Sequence, residues 1–309
     1  MNQFMVSKTR IAPTPSGFLH LGNIFSFSLT AGLANELGAS ILLRIDDLDT
    51  TRVRTAYLED IFETLHFMGI PWDEGPLNTV DFNENWTQLK RLSVYEENLK
   101  IIEESDLVFA CNCSRKVLNE TNTFIYPGTC IKKNLPLDAP GVCWRWKHKL
   151  SEEIKMNDLA TGETLHMRPA LQHHFVVRKR DGIPSYQLAS VLDDSLFNVN
   201  MIVRGADLCE STLIQLQIAQ KLQLKTFDKT VFFHHPLISD ENGQKLSKSA
   251  GSTSISYLRK EGLKSETIFE LISAELHLKT KVKNWYDLYQ QWKKENSPLF
   301  FPNNSKKSN

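Results

Sequence analysis

Apolar positions near the N-terminus come in blocks of different period. The run KTRIA at 8–12 stops at the turn cluster Pro13-Thr14-Pro15-Ser16-Gly17 and predicts a short strand. Residues 24–37 predict a helix closed by Gly38 as C-cap, and SILLRI at 40–45 predicts a buried strand running into the acidic string Asp46-Asp47-Leu48-Asp49. Strand, glycine turn, helix and parallel strand is how a doubly wound α/β fold begins.

Residues 53–68 carry helical periodicity, and 86–104 form a second long helical segment. From about 107 to 170 the pattern breaks into cysteines, turn residues and short apolar runs, which predicts an inserted subdomain. The α/β rhythm resumes at 175–178. It continues through a helix at 186–192, a strand at 201–204, a helix at 211–222 and a strand at 231–235 that leads into the loop SDENGQKLSKS (239–249). The last sixty residues read as helical, with a polar tail at 302–309 predicted to be disordered.

Composition narrows the class only a little. Of 309 residues, 41% are hydrophobic and 23% charged, ordinary for a soluble globular protein, and no apolar run approaches the ~20 residues of a membrane-spanning helix. The N-terminus MNQFMVSKTR has no apolar stretch after its first basic residue, so a cytoplasmic location without membrane association is expected. The 36 basic and 36 acidic side chains cancel, which does not decide for or against a nucleic-acid partner, because binding needs a local basic face rather than a basic total. Lysines 279, 281, 283, 293 and 294 surround Trp285, Tyr289 and Trp292. The three aromatics share one helix face, the pattern of a packed helix with solvated lysines more often than of an RNA-stacking face.

Two segments suit phosphate chemistry. His20-Leu21-Gly22-Asn23 stands where the first helix begins, and a helix N-terminus offers unpaired N–H groups and a positive dipole end. Far downstream, Lys245 and Lys248 in KLSKS (245–249) can neutralise a leaving pyrophosphate. Either segment alone is weak, since an isolated His-x-Gly is usually a helix entry and an isolated KLSKS a solvated loop. The five cysteines, odd in number, argue against a disulfide framework. Cys111, Cys113 and Cys130 fit a four-coordinate zinc site with one further donor, or else three incidental thiols in a reducing compartment.

In this order, RIAPTPSGFLHLGN (10–23) and DENGQKLSKS (240–249) resemble the two signatures of class I aminoacyl-tRNA synthetases in their glutamyl form. LLRIDDLDTTR (42–52), GIPSYQLASVLDD (182–194) and VRGADLCEST (203–212) match the blocks between. The resemblance implies a Rossmann-type catalytic domain in two halves (1–106 and 173–250), an inserted zinc-bearing, acceptor-binding subdomain (107–172) and a short C-terminal helical region (251–301). It also implies catalysis by His20, Lys245 and Lys248. ATP, with Mg2+, would lie on His20, Gly22, Asn23, Lys245 and Lys248, and the amino acid on Arg10, Ala12, Thr14, Asp46, Tyr186 and Arg204.

Those residue types suit an acidic substrate. Guanidinium forks such as Arg10 and Arg204 hold carboxylates, an acid such as Asp46 pairs with an ammonium, and Tyr186 supplies a ring and a hydroxyl. The family usually carries Glu where this chain has Asp46, one methylene shorter, and Ser where it has Thr14. Weak glutamate affinity, or preference for another acidic amino acid, is the expected consequence.

Cys-x-Cys followed by Tyr-Pro-Gly-Thr-Cys is similar to the zinc motif of glutamyl-Q tRNA(Asp) synthetases. That implies one structural Zn2+ on Cys111, Cys113, Tyr126 and Cys130. Only about sixty residues follow the lysine loop, too few for the anticodon-binding region of a full glutamyl-tRNA synthetase. The expected activity is therefore that of the short paralogue, a monomer that joins activated glutamate to the queuosine base of tRNA(Asp). The rivals are a ligase for another acidic amino acid or acceptor, and a catalytically silent RNA- or metabolite-binding paralogue.

Overall fold

Parallel pairing of β1 (Lys8–Ile11) with β2 (Ser40–Leu43), Lys8 opposite Ser40 and Ile11 opposite Leu43, opens the molecule, and α1 (Leu21–Leu37) makes the crossover between them. The computed structural model describes residues 4–114, 126, 128–147, 153–168, 174–238 and 254–296. Gly38 ends α1 at φ 67°, a left-handed position that glycine takes without a side-chain penalty, as the sequence predicts.

Next come α2 (Thr55–Phe67), α3 (Leu92–Glu104), β3 (Val108–Cys111), β4 (Cys143–Trp146), β5 (Ile154–Asp158), β6 (Glu163–Met167) and β7 (Val176–Arg178). The chain then continues through α4 (Tyr186–Leu196), β8 (Met201–Gly205), α5 (Cys209–Lys221) and β9 (Val231–His235). It finishes with α6 (Ile255–Lys260), α7 (Ser265–Glu275) and α8 (Trp285–Glu295).

β8 and β9 pair in parallel, β5 adds in parallel on the far side of β9, and β6 closes that edge as an antiparallel hairpin with β5. β8 meets β1 through Asn200. Its backbone N–H donates to the Lys8 carbonyl (3.0 Å), and its side-chain oxygen accepts from the N–H groups of Ser7 (2.9 Å) and Lys8 (3.0 Å). The spatial order is therefore β2-β1-β8-β9-β5-β6. Ile41 and Leu43, Met201 and Val203, and Val231 and Phe233 face one core, while Leu42, Ile202 and Phe232 face a second. Apolar residues on both faces explain why these strands read as unbroken hydrophobic runs.

Sheet pairing cuts across the segment expected as an insert at 107–172. β3, β4 and β7 form a separate antiparallel sheet, whereas β5 and β6 belong to the main sheet. Local sequence cannot show this, because strand partners lie far apart along the chain.

α8 covers α1. The ring of Tyr289 lies on Gly32, where an added Cβ would come within 2.0 Å of Tyr289 Cγ, so only glycine admits this approach. Trp292 stands edge-on to Phe25 (5.7 Å) and Phe233 (6.1 Å). Tyr289 and Trp292 are therefore core residues and are not available for stacking on RNA, while Trp285 is half-buried. Lys293 reaches back to Glu36 on α1. The loop at 239–249 and the tail at 302–309 lie outside the described residues.

Candidate active site

β1 has β2 on one side and β8 on the other, so the strand order reverses there, and ligands of open α/β sheets bind beyond the carboxyl ends of the strands at such a point. A cavity of ≈ 320 Å³ lies there, lined by Arg10, Ala12, His20, Tyr186, Arg204 and Asp207, among others. A second, of ≈ 650 Å³, shares Ala12, His20, Asn23 and Phe27 with the first and continues over Thr14, Gly17, Arg52, Tyr57 and Ser254.

Two buried guanidinium groups dominate the first cavity. Arg10 Nη1 donates to the Val203 carbonyl (3.3 Å), and its Nε lies 3.4 Å from Asp194 Oδ1. Arg204 Nη1 donates to Gln215 Oε1 (2.8 Å), while its Nε and Nη2, both buried, have no hydrogen-bond partner. Burial, with the like charge of Arg10, pushes Arg204 down to about 10, so it still carries its charge at neutral pH. A buried, charged donor pair without an acceptor costs free energy unless an anion completes it.

His20 precedes α1. Its N–H donates to Asn23 Oδ1 (3.0 Å), so Asn23 spends that oxygen on the helix entry. An added Cβ at Gly22 would lie 3.1 Å from His20 Cε1, so this glycine leaves room for the imidazole at the cavity wall. The described residues on either side of the lysine loop meet this site: Ile238 lines the first cavity, and Ser254 forms an antiparallel bridge with His20. Lys245 and Lys248 themselves lie outside the described residues.

The structure brings Arg10, Ala12, His20, Gly22, Asn23, Tyr186 and Arg204 to one cavity, places Thr14 on the adjoining one, and does not bring Asp46 to either. The Asp46 backbone follows β1, its N–H donating to the Pro13 carbonyl (2.9 Å), but its carboxylate turns to Arg44. Arg44 Nε donates to Oδ1 (2.7 Å) and Nη2 to Oδ2 (3.0 Å), so both oxygens are engaged. Burial pushes the Asp46 carboxyl up, and Arg44 offsets this only in part. Arg44, although buried, is held above its ordinary value by Asp194, Asp46 and Asp193.

Several supporting residues escaped single-residue reading of the sequence. Arg44 also donates from Nη1 to Asp194 Oδ1 (2.6 Å) and from Nη2 to Ser190 Oγ (3.1 Å). Asp194 thus braces both Arg44 and Arg10. Ser190 and Asp194 stand in GIPSYQLASVLDD, so the block was visible while their contacts were not.

In the second sheet, the sulfurs of Cys111, Cys113 and Cys130 lie within 4.8 Å of one another. Tyr126 Oη is 3.4 Å from Cys111 Sγ and 3.9 Å from Cys113 Sγ, and it accepts the Cys130 N–H at 2.8 Å. Tetrahedral zinc at ~2.3 Å from each thiolate needs sulfurs roughly 3.8 Å apart, so this donor set fits a closed site. The Cys111 thiol is held below its ordinary value, first by hydrogen bonding with Cys143. Burial, then the phenol's hydrogen bonding to the sulfurs of Cys111 and Cys130, push the Tyr126 phenol up, and a bound dication would oppose that shift.

Residues 6–284 match the family described as tRNA synthetases class I (E and Q), catalytic domain. A glutamyl-Q tRNA(Asp) synthetase of Parasynechococcus marenigrum is 33% identical over 267 residues, covering 86% of this chain and 82% of that protein. A glutamate–tRNA ligase of Buchnera aphidicola is 30% identical over 277 residues, covering 87% of this chain and 56% of that protein. The fold is shared with the glutamate-tRNA synthetase of Elizabethkingia anophelis, at TM-score 0.73 and 22% identity, covering 92% of this chain and 65% of that one. No described helix is long and apolar enough to cross a membrane. The chain belongs to the class I tRNA synthetase catalytic-domain family for glutamate and glutamine, and it is a glutamyl-tRNA synthetase-like ligase.

Proposed function

We propose that this chain activates glutamate, or a related acidic amino acid, as its adenylate and transfers it to the queuosine base of tRNA(Asp). The observation that carries the reading is the buried Arg10–Arg204 pair at the cavity wall beside a helix N-terminus, with two buried Arg204 donors that lack a hydrogen-bond partner. Arg204 and Arg10 hold the two substrate carboxylates, and Tyr186 walls the pocket. His20, at the junction of the cavities, donates to a phosphoryl oxygen as its charge grows. The substrate α-carboxylate attacks the α-phosphorus of Mg2+-bound ATP and pyrophosphate leaves, with Lys245 and Lys248 neutralising it; a nucleophile of the acceptor then displaces AMP. The glutamyl-Q tRNA(Asp) synthetases among the relatives support this acceptor.

Asp46 favours a second reading for the amino acid. With its carboxylate held by Arg44, it does not reach the cavity to pair with an ammonium. Amino-acid-dependent ATP–pyrophosphate exchange with glutamate, aspartate and related acids, then transfer of labelled amino acid to tRNA with or without queuosine, tests both readings. Weak glutamate exchange that Asp46→Glu improves about tenfold is expected, one charge-assisted contact being worth at least ~1.5 kcal/mol. Tight, exclusive use of glutamate that Asp46→Glu leaves unchanged would remove the second reading. No exchange with any amino acid would remove the first.

The cysteine cluster is proposed to hold one structural zinc ion on Cys111, Cys113, Tyr126 and Cys130, with no step of the reaction passing through it. Purified protein is expected to contain close to one zinc per chain by elemental analysis. Cys113→Ser should lose the metal while leaving ATP binding in place, because the cluster belongs to a different sheet from the cavity. Retention of full zinc by that variant would refute this ligand set.

A further inference from the structure

The turn that carries His20 is tied to two other elements through Leu19. The Leu19 N–H donates to Asp60 Oδ2 on α2 (3.3 Å), and its carbonyl accepts from the Ile255 N–H at the start of α6 (2.8 Å). The other oxygen, Asp60 Oδ1, accepts from Arg259 Nη2 on α6 (3.1 Å) and from Thr64 (3.2 Å). Arg259 Nη2 also reaches Glu63 Oε2 (2.6 Å), so α2 holds α6 through two carboxylates. One buried side chain therefore links the residue before His20 to the helix whose first turn adjoins the bridge between His20 and Ser254. Tyr57 from α2 and Ser254 both line the second cavity, so the same clasp sets two of its walls.

Resting on the adenylation reading, we propose that Asp60 and Arg259 are positioning residues for the nucleotide step, setting His20 and Ser254 against bound ATP. Neither lines either of these two cavities, so both act through the turn they hold. A misplacement of about 1 Å at a reacting group costs on the order of 10²-fold in rate. The amino-acid cavity takes its guanidinium groups from β1 and β8, whereas the hydrogen bonds of the clasp run to Leu19 and between α2 and α6.

The test is ATP–pyrophosphate exchange by the full chain carrying Asp60→Asn, Arg259→Gln or Arg259→Lys, with ATP binding measured separately by calorimetry. Asn keeps an acceptor for Leu19 and a shape that packs, so Asp60→Asn is expected to fold. The expected result is a loss of about 10- to 100-fold in kcat/KM for ATP with Asp60→Asn and Arg259→Gln. The amino-acid KM should stay within about twofold, and Arg259→Lys should recover most of the loss.

Unaltered exchange in both variants would overturn the proposal. So would a loss shared equally by ATP and amino-acid terms with no recovery in Arg259→Lys, since that is what mere unfolding gives. Absence of exchange in the unsubstituted protein would refute the adenylation reading itself, and the proposed role with it. Failure confined to the variants leaves that reading intact.

Discussion

Replacement of Arg204 by Gln is expected to lower kcat/KM for the amino acid about 10³-fold in pyrophosphate exchange, while leaving the melting temperature unchanged or higher. Each charge-assisted hydrogen bond to a ligand carboxylate is worth ~1.5–3 kcal/mol, and Arg204 has two donors, Nε and Nη2, that make no hydrogen bond within the protein. Losing both removes about 4 kcal/mol of binding, which is the stated factor. In the free protein the same donors are a liability, because burial and the charge of Arg10 already oppose the guanidinium. Gln keeps one amide for Gln215 and removes the buried charge, so stability need not suffer. Arg204→Lys should keep the charge but lose the fork, and fall between the two. Full exchange by Arg204→Gln, measured at subsaturating amino acid, would remove this guanidinium from the substrate.

This separation of function from stability also marks how far the sequence could be read. β1, α1, β2, β8 and β9 were legible because each has a period, a cap or a turn of its own: Gly38 closes α1 where expected, and the strand at 231–235 falls on β9 as observed. The cavity residues Arg10, His20, Tyr186 and Arg204 were legible as a set because they stand in motifs with fixed order. Partner choice was not. Nothing local says that β5 joins β9 while β7 joins β4, since both are short runs with similar neighbours. Nor does the shortened side chain of Asp46 say where its carboxylate goes. That depends on Arg44, two residues before it, being held from behind by Asp194 and Ser190, about 150 positions later. Asp60 escaped for the same reason: on α2 it reads as an ordinary polar position, and only the fold brings Leu19 and Arg259 to it.

The buried carboxylate behind that bracing gives the largest expected effect on stability. Asp193 Oδ1 accepts from Arg91 Nε (2.8 Å) and Tyr95 Oη (2.8 Å), and Oδ2 from Arg91 Nη2 (2.9 Å) and Gln88 Nε2 (2.9 Å). Asp193→Asn keeps the shape but leaves the buried Arg91 charge uncompensated, a change that costs about 3–5 kcal/mol. Burial opposes ionisation of Asp193, but Arg91 and Arg44 win and hold its carboxyl below the ordinary value. A carboxyl depressed in the folded state adds stability above its unfolded pKa, ~3.9, and that contribution fades as pH falls through the folded value. The gap in unfolding free energy between the unsubstituted protein and Asp193→Asn should therefore be full at pH 7, begin to shrink near pH 4 and narrow further below it. Urea titrations at pH 7, 5, 4 and 3 measure it. A gap that stays constant across that range would show that Asp193 does not hold Arg91 as an ionised partner. Because the same two-residue step carries Asp194, which braces Arg10 and Arg44, the variant should also weaken amino-acid binding before it unfolds the chain.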